Sequence, residues 1–82
     1  MLPTPEQVRQ YIADALPCEH IEVQGDGAHF EATIVSTAFE GKRRIARHQV
    51  VYAALGKRMD AEIHALSMRT LTPEEYRAQP NG

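Results

Sequence analysis

The 82-residue chain is predicted to fold as one α+β domain over residues 1–82. The expected order is α-β-β-α-β-α, with a mixed three-stranded sheet covered by helices mainly on one face. Three observations predict this. Residues 18–24 and 28–36 both alternate apolar with polar side chains around Gly25-Asp26-Gly27, the pattern of an antiparallel hairpin. A helical stretch over residues 42–55 then separates the second strand from a third apolar run at Ile63–Met68. A strand-helix-strand unit crosses over, so the third strand is expected beside the second, parallel to it, with the second strand central. A chain this short buries only about 60% of its unfolded surface, which suits one thin core.

The first helix is announced by Thr4-Pro5-Glu6-Gln7: an N-cap hydroxyl, a proline in the first turn, and a glutamine where a capping box needs it. Val8, Tyr11, Ile12, Ala15 and Leu16 recur at helical spacing, and Pro17 ends the helix because the residue before a proline resists the α region. In the first strand Ile21 and Val23 face one way, and His20, Glu22 and Gln24 the other. In the second, Phe30, Ala32 and Ile34 form the inward set; His29, Glu31 and Thr33 form the outward one. The second helix is assigned an inward stripe of Ile45, His48, Tyr52 and Leu55, with Gly56 as its C-cap and Lys57–Asp60 as a turn. The third strand has ambiguous parity, since Ile63 and Ala65 compete with Leu66 and Met68 for the core side. Leu71-Thr72-Pro73-Glu74-Glu75-Tyr76 starts the last helix: Thr72 caps, Glu75 completes a capping box, and Leu71 and Tyr76 are spaced for a hydrophobic staple. That helix is expected to fray by Pro80.

Composition narrows the function classes. The net charge of −2 gives no global attraction to nucleic acid or membrane. One cysteine, Cys18, excludes an intramolecular disulfide and favours a reducing compartment. With no signal-peptide pattern and no apolar run of membrane-spanning length, a cytoplasmic location is expected and no membrane partner. Charge is unevenly placed, however. Lys42, Arg43, Arg44, Arg47, Lys57 and Arg58 are six of the nine Lys and Arg residues, and residues 42–59 contain no acid. This segment reads either as a solvated helix surface or acidic-partner dock, or as a phosphate-binding patch centred on Lys42, Arg43, Arg44 and Arg47. It lacks interleaved aromatics that would stack bases.

Gly41-Lys42 does not make a phosphate loop, because Ser36 and Arg43 stand where a Walker motif needs glycine and a hydroxyl residue. The element order resembles a type II KH domain, but its G-x-x-G clamp is replaced by Gly41-Lys42-Arg43-Arg44. Ser36 and Ser67 lack a nucleophile elbow, Cys18 reads as packed, and the carboxylates are scattered, so no enzyme is expected. Among four histidines, His48 reads as packed on the basic helix and His20 as a surface strand residue. His29 and His64 fall on strands expected to be neighbours. Two imidazoles there fit either a structural pair or ligands for a soft or borderline metal.

Three segments together resemble the BolA-like family: GDGAHFEA, FEGKRRIARHQVVYAAL and IHALSMRTLTPEEY. The likeness runs from Cys18 to Tyr76 and is carried by Phe39, Gly41, Arg47, His48, Val51, Leu55, Ile63, His64, Ala65, Thr70, Thr72 and Pro73. It implies a type II KH-like fold and a monothiol glutaredoxin as partner. In that complex a [2Fe-2S] cluster is bridged by the glutaredoxin cysteine, a glutathione thiol and a histidine of the I-H-A segment, here His64. A second ligand position precedes the second strand, and His29 matches it. A cluster needs four ligands, and one thiol with two imidazoles cannot hold it alone, so a partner must bring thiolates. The resemblance also implies a second activity. Some members are described as transcriptional regulators binding DNA through the second helix and its flanks, where Lys42, Arg43, Arg44 and Arg47 lie.

Overall fold

The computed structural model describes residues 2–63 and 65–79. Helix α1 spans Pro5–Ala15, and its capping box is formed as expected: Gln7 N donates to Thr4 Oγ1 at 3.1 Å and Thr4 N to Gln7 Oε1 at 2.9 Å. Val8, Ile12 and Leu16 are buried against the sheet, whereas Ala15, expected on the same face, is exposed at the last residue of the helix. Strands β1 (His20–Gly25) and β2 (His29–Val35) form the antiparallel hairpin, in register from His20 opposite Val35 to Gly25 opposite Phe30. A three-residue loop, Asp26-Gly27-Ala28, joins them. Two glycines are needed there. A side chain on Gly25 would collide with the His29 carbonyl and the Phe30 ring, and Gly27 has φ of +98°, where other residues are strained.

A short 3-10 turn, Thr37–Phe39, leads into helix α2 (Arg44–Leu55). Helix α3 (Lys57–Ala61) follows, where the sequence suggested a turn. Gly56, at φ +57°, breaks the chain direction between them, and its N–H still bonds Tyr52 O at 2.9 Å. Strand β3 (Ala65–Leu71) then runs parallel to β2, and helix α4 spans Pro73–Ala78 behind the Thr72–Glu75 capping box. The sheet order is β1-β2-β3, so β2 is central as expected. The order is therefore α-β-β-α-α-β-α, one short helix more than predicted.

Two strand boundaries also differ. The first strand starts at His20, not Cys18, and the third runs Ala65–Leu71, not Ile63–Met68. Pairing sets these ends. Val35 stands opposite both His20 and Leu71, and the ladder closes with Ser36 N donating to Leu71 O at 3.0 Å. A polar Arg69-Thr70 pair that looks like a loop in sequence is held extended because β2 offers it partners.

The core lies on one face of the sheet. Phe30, Ala32 and Ile34 of β2 meet Ile21, Val8, Ile12, Val51, Leu55, Phe39 and Ile63. Each of the larger side chains contributes about 1.5–3 kcal/mol by leaving water. The parity of β3 is settled: Leu66 and Met68 pack against this core and Thr70 is buried, while Ala65, Ser67 and Arg69 face out. The helical stripe assigned to α2 is rotated from the real one. Ile45 is 75% exposed and Tyr52 40%, whereas Val51 and Leu55 are buried, with Arg47, His48 and Val50 partly so. Val51 lies within one turn of both His48 and Leu55, and the seam through those three faces the sheet.

The opposite face carries Glu22, Gln24, Glu31, Ser67 and Arg69 in solvent. Among the described residues only its far end is covered. There Val35 is fully buried and the His20 ring stacks on Tyr76 of α4, with centroids 5.0 Å apart. Buried Ser36 ties two connections together, donating to Pro17 O at 2.5 Å and accepting from Ala38 N at 3.1 Å. Among the described residues no helix is long and apolar enough to cross a membrane.

The rotated stripe is testable. Leu55→Ala is expected to cost about 2–5 kcal/mol of stability in denaturant unfolding. Ile45→Ala is expected to stay within about 0.5 kcal/mol of the parent. Equal costs would place Ile45 back on the buried side.

Candidate functional site

His29 opens β2 at the uncovered end of the sheet, and its side chain is exposed. Its backbone is held by Asp26, whose Oδ1 accepts from both Ala28 N and His29 N at 2.9 Å, while Asp26 N donates to His29 O at 3.2 Å. These backbone N–H groups, His29 foremost, lower the Asp26 carboxyl from its ordinary value. The loop that precedes the histidine is therefore a closed Asx turn. Among the described residues the ring itself is held by one contact: Nε2 lies 3.1 Å from Ser67 Oγ on β3. His64, the other predicted ligand, lies outside the described residues. Ala65, which follows it in the chain, is the register partner of His29.

Cys18 is at the other end. Glu19 N bonds Val35 O, so the cysteine precedes the part of β1 that pairs with the end of β2, whereas His29 is at its start. Six residue steps of strand separate the two ends, about 20 Å. Burial raises the Cys18 thiol above its ordinary value, partly offset by Arg9, so the thiolate is disfavoured. Among the described residues no group of three or more His, Cys, Asp or Glu is arranged to hold a metal ion. The exposed imidazole of His29 fits a metal whose remaining ligands come from elsewhere; the Cys18 thiol does not reach it.

The basic segment divides into free and engaged cations. Lys42, Arg43 and Arg44 are exposed around the N-terminus of α2, and among the described residues none of them forms an ion pair. Arg47 is not part of that exposed cluster. Its guanidinium donates to Glu75 Oε1 at 2.6 Å and Oε2 at 3.2 Å, to Thr70 O at 3.0 Å and, from Nε, to Lys42 O at 2.7 Å. One side chain thus fastens the start of α2, the end of β3 and the first turn of α4. Arg58 is engaged too: its guanidinium carbon sits 4.0 Å over the Tyr11 ring, and Tyr11 Oη bonds Glu62 at 3.3 Å. A cleft of about 590 Å³ between α2, β3 and α4 is lined by Arg44, Arg47, His48, Arg69 and Glu75. It sits at the Thr70 end of the sheet, away from His29. The structure therefore pairs Arg47 with Glu75, leaves Lys42, Arg43 and Arg44 exposed beside that pair, with Arg44 on the rim of the same cleft, and sets all of them apart from the imidazole.

The model of the family described as BolA-like protein matches residues 12–75. The chain belongs to the BolA-like family. It is 40% identical over 60 residues to the DNA-binding transcriptional regulator BolA of Haemophilus influenzae, covering 73% of this chain and 58% of that protein. Among solved structures, a BolA homologue from Coxiella burnetii superposes with a TM-score of 0.81 at 42% identity, covering 93% of this chain and 99% of that one. Yeast Fra2 superposes with a TM-score of 0.79 at 34% identity, covering 95% and 88%. BolA-like proteins are non-catalytic regulators and scaffolds, and this chain is not an enzyme.

Much of the BolA-like motif turns out to report folding. Phe39, Val51, Leu55 and Ile63 are core residues, and Arg47, Thr70 and Thr72 meet at the α2–β3–α4 junction. Two residues at the site escaped sequence reading. Asp26 carried a usable signal, since an aspartate between glycines forms Asx turns. Ser67 carried none until the parity of β3 was known.

Glu75 gives a pH prediction. The Arg47 guanidinium, then the Thr72 N–H, hold its carboxyl down at about 2. In the unfolded chain the value is about 4.3. A depressed folded value means that this stabilisation is complete above about pH 4.3 and is lost as pH falls toward about 2. Glu75→Gln is expected to flatten that limb of the stability curve measured by denaturant unfolding. An unchanged acid limb would mean that the pair adds nothing in solution.

Proposed function

We propose that this BolA-like chain is an accessory protein of iron–sulfur cluster trafficking or iron sensing. On this reading it binds a [2Fe-2S] cluster shared with a monothiol glutaredoxin and glutathione, with His64 and His29 as its ligands. The observation that carries the reading is the placement of His29: an exposed imidazole just after a fixed loop, at the start of the central strand, opposite the residue that follows His64. The distance of Cys18, and the burial that disfavours its thiolate, support a division in which the partner and glutathione bring the thiolates. Imidazole in place of thiolate leaves such a cluster less negative and raises its potential. The asymmetry of the site follows from the chemistry of the described residues, which offer the His29 imidazole and no thiol within reach of it. A cytoplasmic setting belongs to the same proposal.

Mixing the chain with a monothiol glutaredoxin, glutathione and iron is expected to give a visible absorption and circular dichroism spectrum different from that of glutaredoxin alone. His64→Ala is expected to abolish the difference and His29→Ala to weaken it. A spectrum indifferent to His64→Ala sinks the ligand assignment.

A second reading has its own observation. The exposed Lys42, Arg43 and Arg44 cluster at the N-terminus of α2 supports DNA binding, as does likeness to a relative named as a DNA-binding regulator. The type II KH-like description is part of this reading, although the nucleotide-clamping G-x-x-G is missing. Phosphate contacts alone give salt-sensitive, unspecific binding. Titrating a duplex at two salt concentrations is expected to show an affinity that falls steeply with salt, with a slope reduced in a Lys42→Gln, Arg43→Gln, Arg44→Gln triple variant. Affinity that vanishes at physiological salt and ignores sequence would remove the regulator reading. Arg47→Gln is not a clean probe, because it opens the junction with Glu75.

A further inference from the structure

We propose that Ser67 is a positioning residue for His29, engaging Nε2 so that Nδ1 is the nitrogen that offers its lone pair to a metal while Nε2 keeps its proton. This rests on the reading of His29 as a ligand given above. The register places Ala65 opposite His29 and Ser67 opposite Glu31, and the outward parity of β3 puts Ala65 and Ser67 on the open face that His29 also faces. The imidazole reaches along β3 rather than off the end of the sheet, and its Nε2 stops 3.1 Å from Ser67 Oγ. Among the described residues Nδ1 has no hydrogen-bond partner. Among the described residues the two ring nitrogens are therefore not equivalent: one meets a hydroxyl from the neighbouring strand, the other has no partner.

In a neutral imidazole one nitrogen donates and the other accepts, so a partner that fixes one nitrogen fixes the role of the other. A ligating histidine almost always donates its second ring N–H to an oxygen of the protein, which sets ring orientation and raises ligand basicity. The Ser67 hydroxyl can donate or accept, and with Nδ1 on a metal it is placed to accept the Nε2–H. It is also held well, because β3 is locked to the central strand on one side and the serine side chain is short. The Asp26 turn fixes the His29 backbone, and Ser67 fixes the ring. Together they leave the imidazole little freedom before any metal arrives. This pre-orders the ligand without a buried shell around it. The assignment also names the coordinating atom: Nδ1, with Nε2 turned toward the sheet.

The test has two arms. Long-range 15N–1H correlation spectra of the free chain, recorded at about pH 8.5 where an ordinary imidazole is neutral, report the tautomer of each histidine. His29 is expected to be the Nε2–H form in the parent chain, mixed in Ser67→Ala, and restored in Ser67→Thr, which keeps a hydroxyl on a strand. Because Ser67 is exposed, the variants are expected to keep the parent melting curve, and that curve is recorded alongside. In the second arm, glutaredoxin, glutathione and iron are titrated against each variant. Ser67→Ala is expected to weaken formation of the mixed spectrum about 10- to 100-fold, the range for loss of an outer-sphere partner, and to add nothing when His29→Ala is already present. A His29 tautomer that is Nδ1–H in the parent, or that does not respond to Ser67→Ala, overturns the positioning role. If no variant, the parent included, forms the mixed spectrum, the ligand reading and the named coordinating atom fall, while the tautomer spectra still decide whether Ser67 orients the ring.

Discussion

Strand β2 is hydrogen-bonded along both edges, antiparallel to β1 and parallel to β3, and that double pairing governs the rest of the molecule. A parallel neighbour has to be reached by a crossover, so α2 and α3 lie between the two strands in sequence. The crossover delivers the apolar seam of α2 to the face already lined by Phe30, Ala32 and Ile34. Parallel pairing also brings like ends together. Both strands begin where His29 faces Ala65, and both finish where Val35 faces Leu71. Two places on the surface follow from this: an open end with an imidazole, and a covered end with a cation-lined cleft.

The covered end depends on Arg47. Only a guanidinium has enough donors in a planar fork to meet a carboxylate with two nitrogens while also serving two backbone carbonyls. Its partners come from three elements, and Glu75 in turn bonds Thr72 N as part of the capping box of α4. A cap that would otherwise be local is thereby joined to the crossover helix and the end of β3. This accounts for a cation in the middle of a basic stretch whose N–H groups are largely engaged within the fold. It also explains how a helix of six residues, α4, keeps its place over the end of the sheet, with the His20–Tyr76 stack on its other side. So short a helix has little stability of its own.

What could be read from sequence was what local chemistry decides. Thr4 and Thr72 cap as their spacing says, the Gly-Asp-Gly loop turns the hairpin, and Phe30, Ala32 and Ile34 point inward because a strand alternates with period two. Errors arose where a neighbour makes the decision. The end of β3 is set by how far β2 can pair with it, so Arg69, Thr70 and Leu71 are strand despite their composition. Ile45 and Tyr52 look like core residues by spacing, yet only the docking angle of α2 determines which of two overlapping stripes is buried. Lys57–Asp60 forms a helical turn because Gly56 redirects the chain without ending helical hydrogen bonding. At the candidate site, His29 was legible as a residue type at a position. The serine that holds its ring was not, since that contact exists only once β3 has a fixed face and register.

The open face around His29 bears on how a partner would be held there. Its neighbours Glu31, Ser67 and Arg69 are polar and exposed, and the larger apolar side chains beside them, Phe30, Leu66 and Met68, are turned to the core. A protein docking on that surface gains little from apolar burial, the term that dominates most stable interfaces. On the proposed reading, the bonds from imidazole to a shared metal centre supply what the surface lacks, so association and metal occupancy are linked: each favours the other, and neither is strong alone. A patch richer in apolar side chains would hold the partner whether or not a cluster was present. On the proposed reading, the polar character of this face suits a sensor or carrier whose partner stays only while the cluster does.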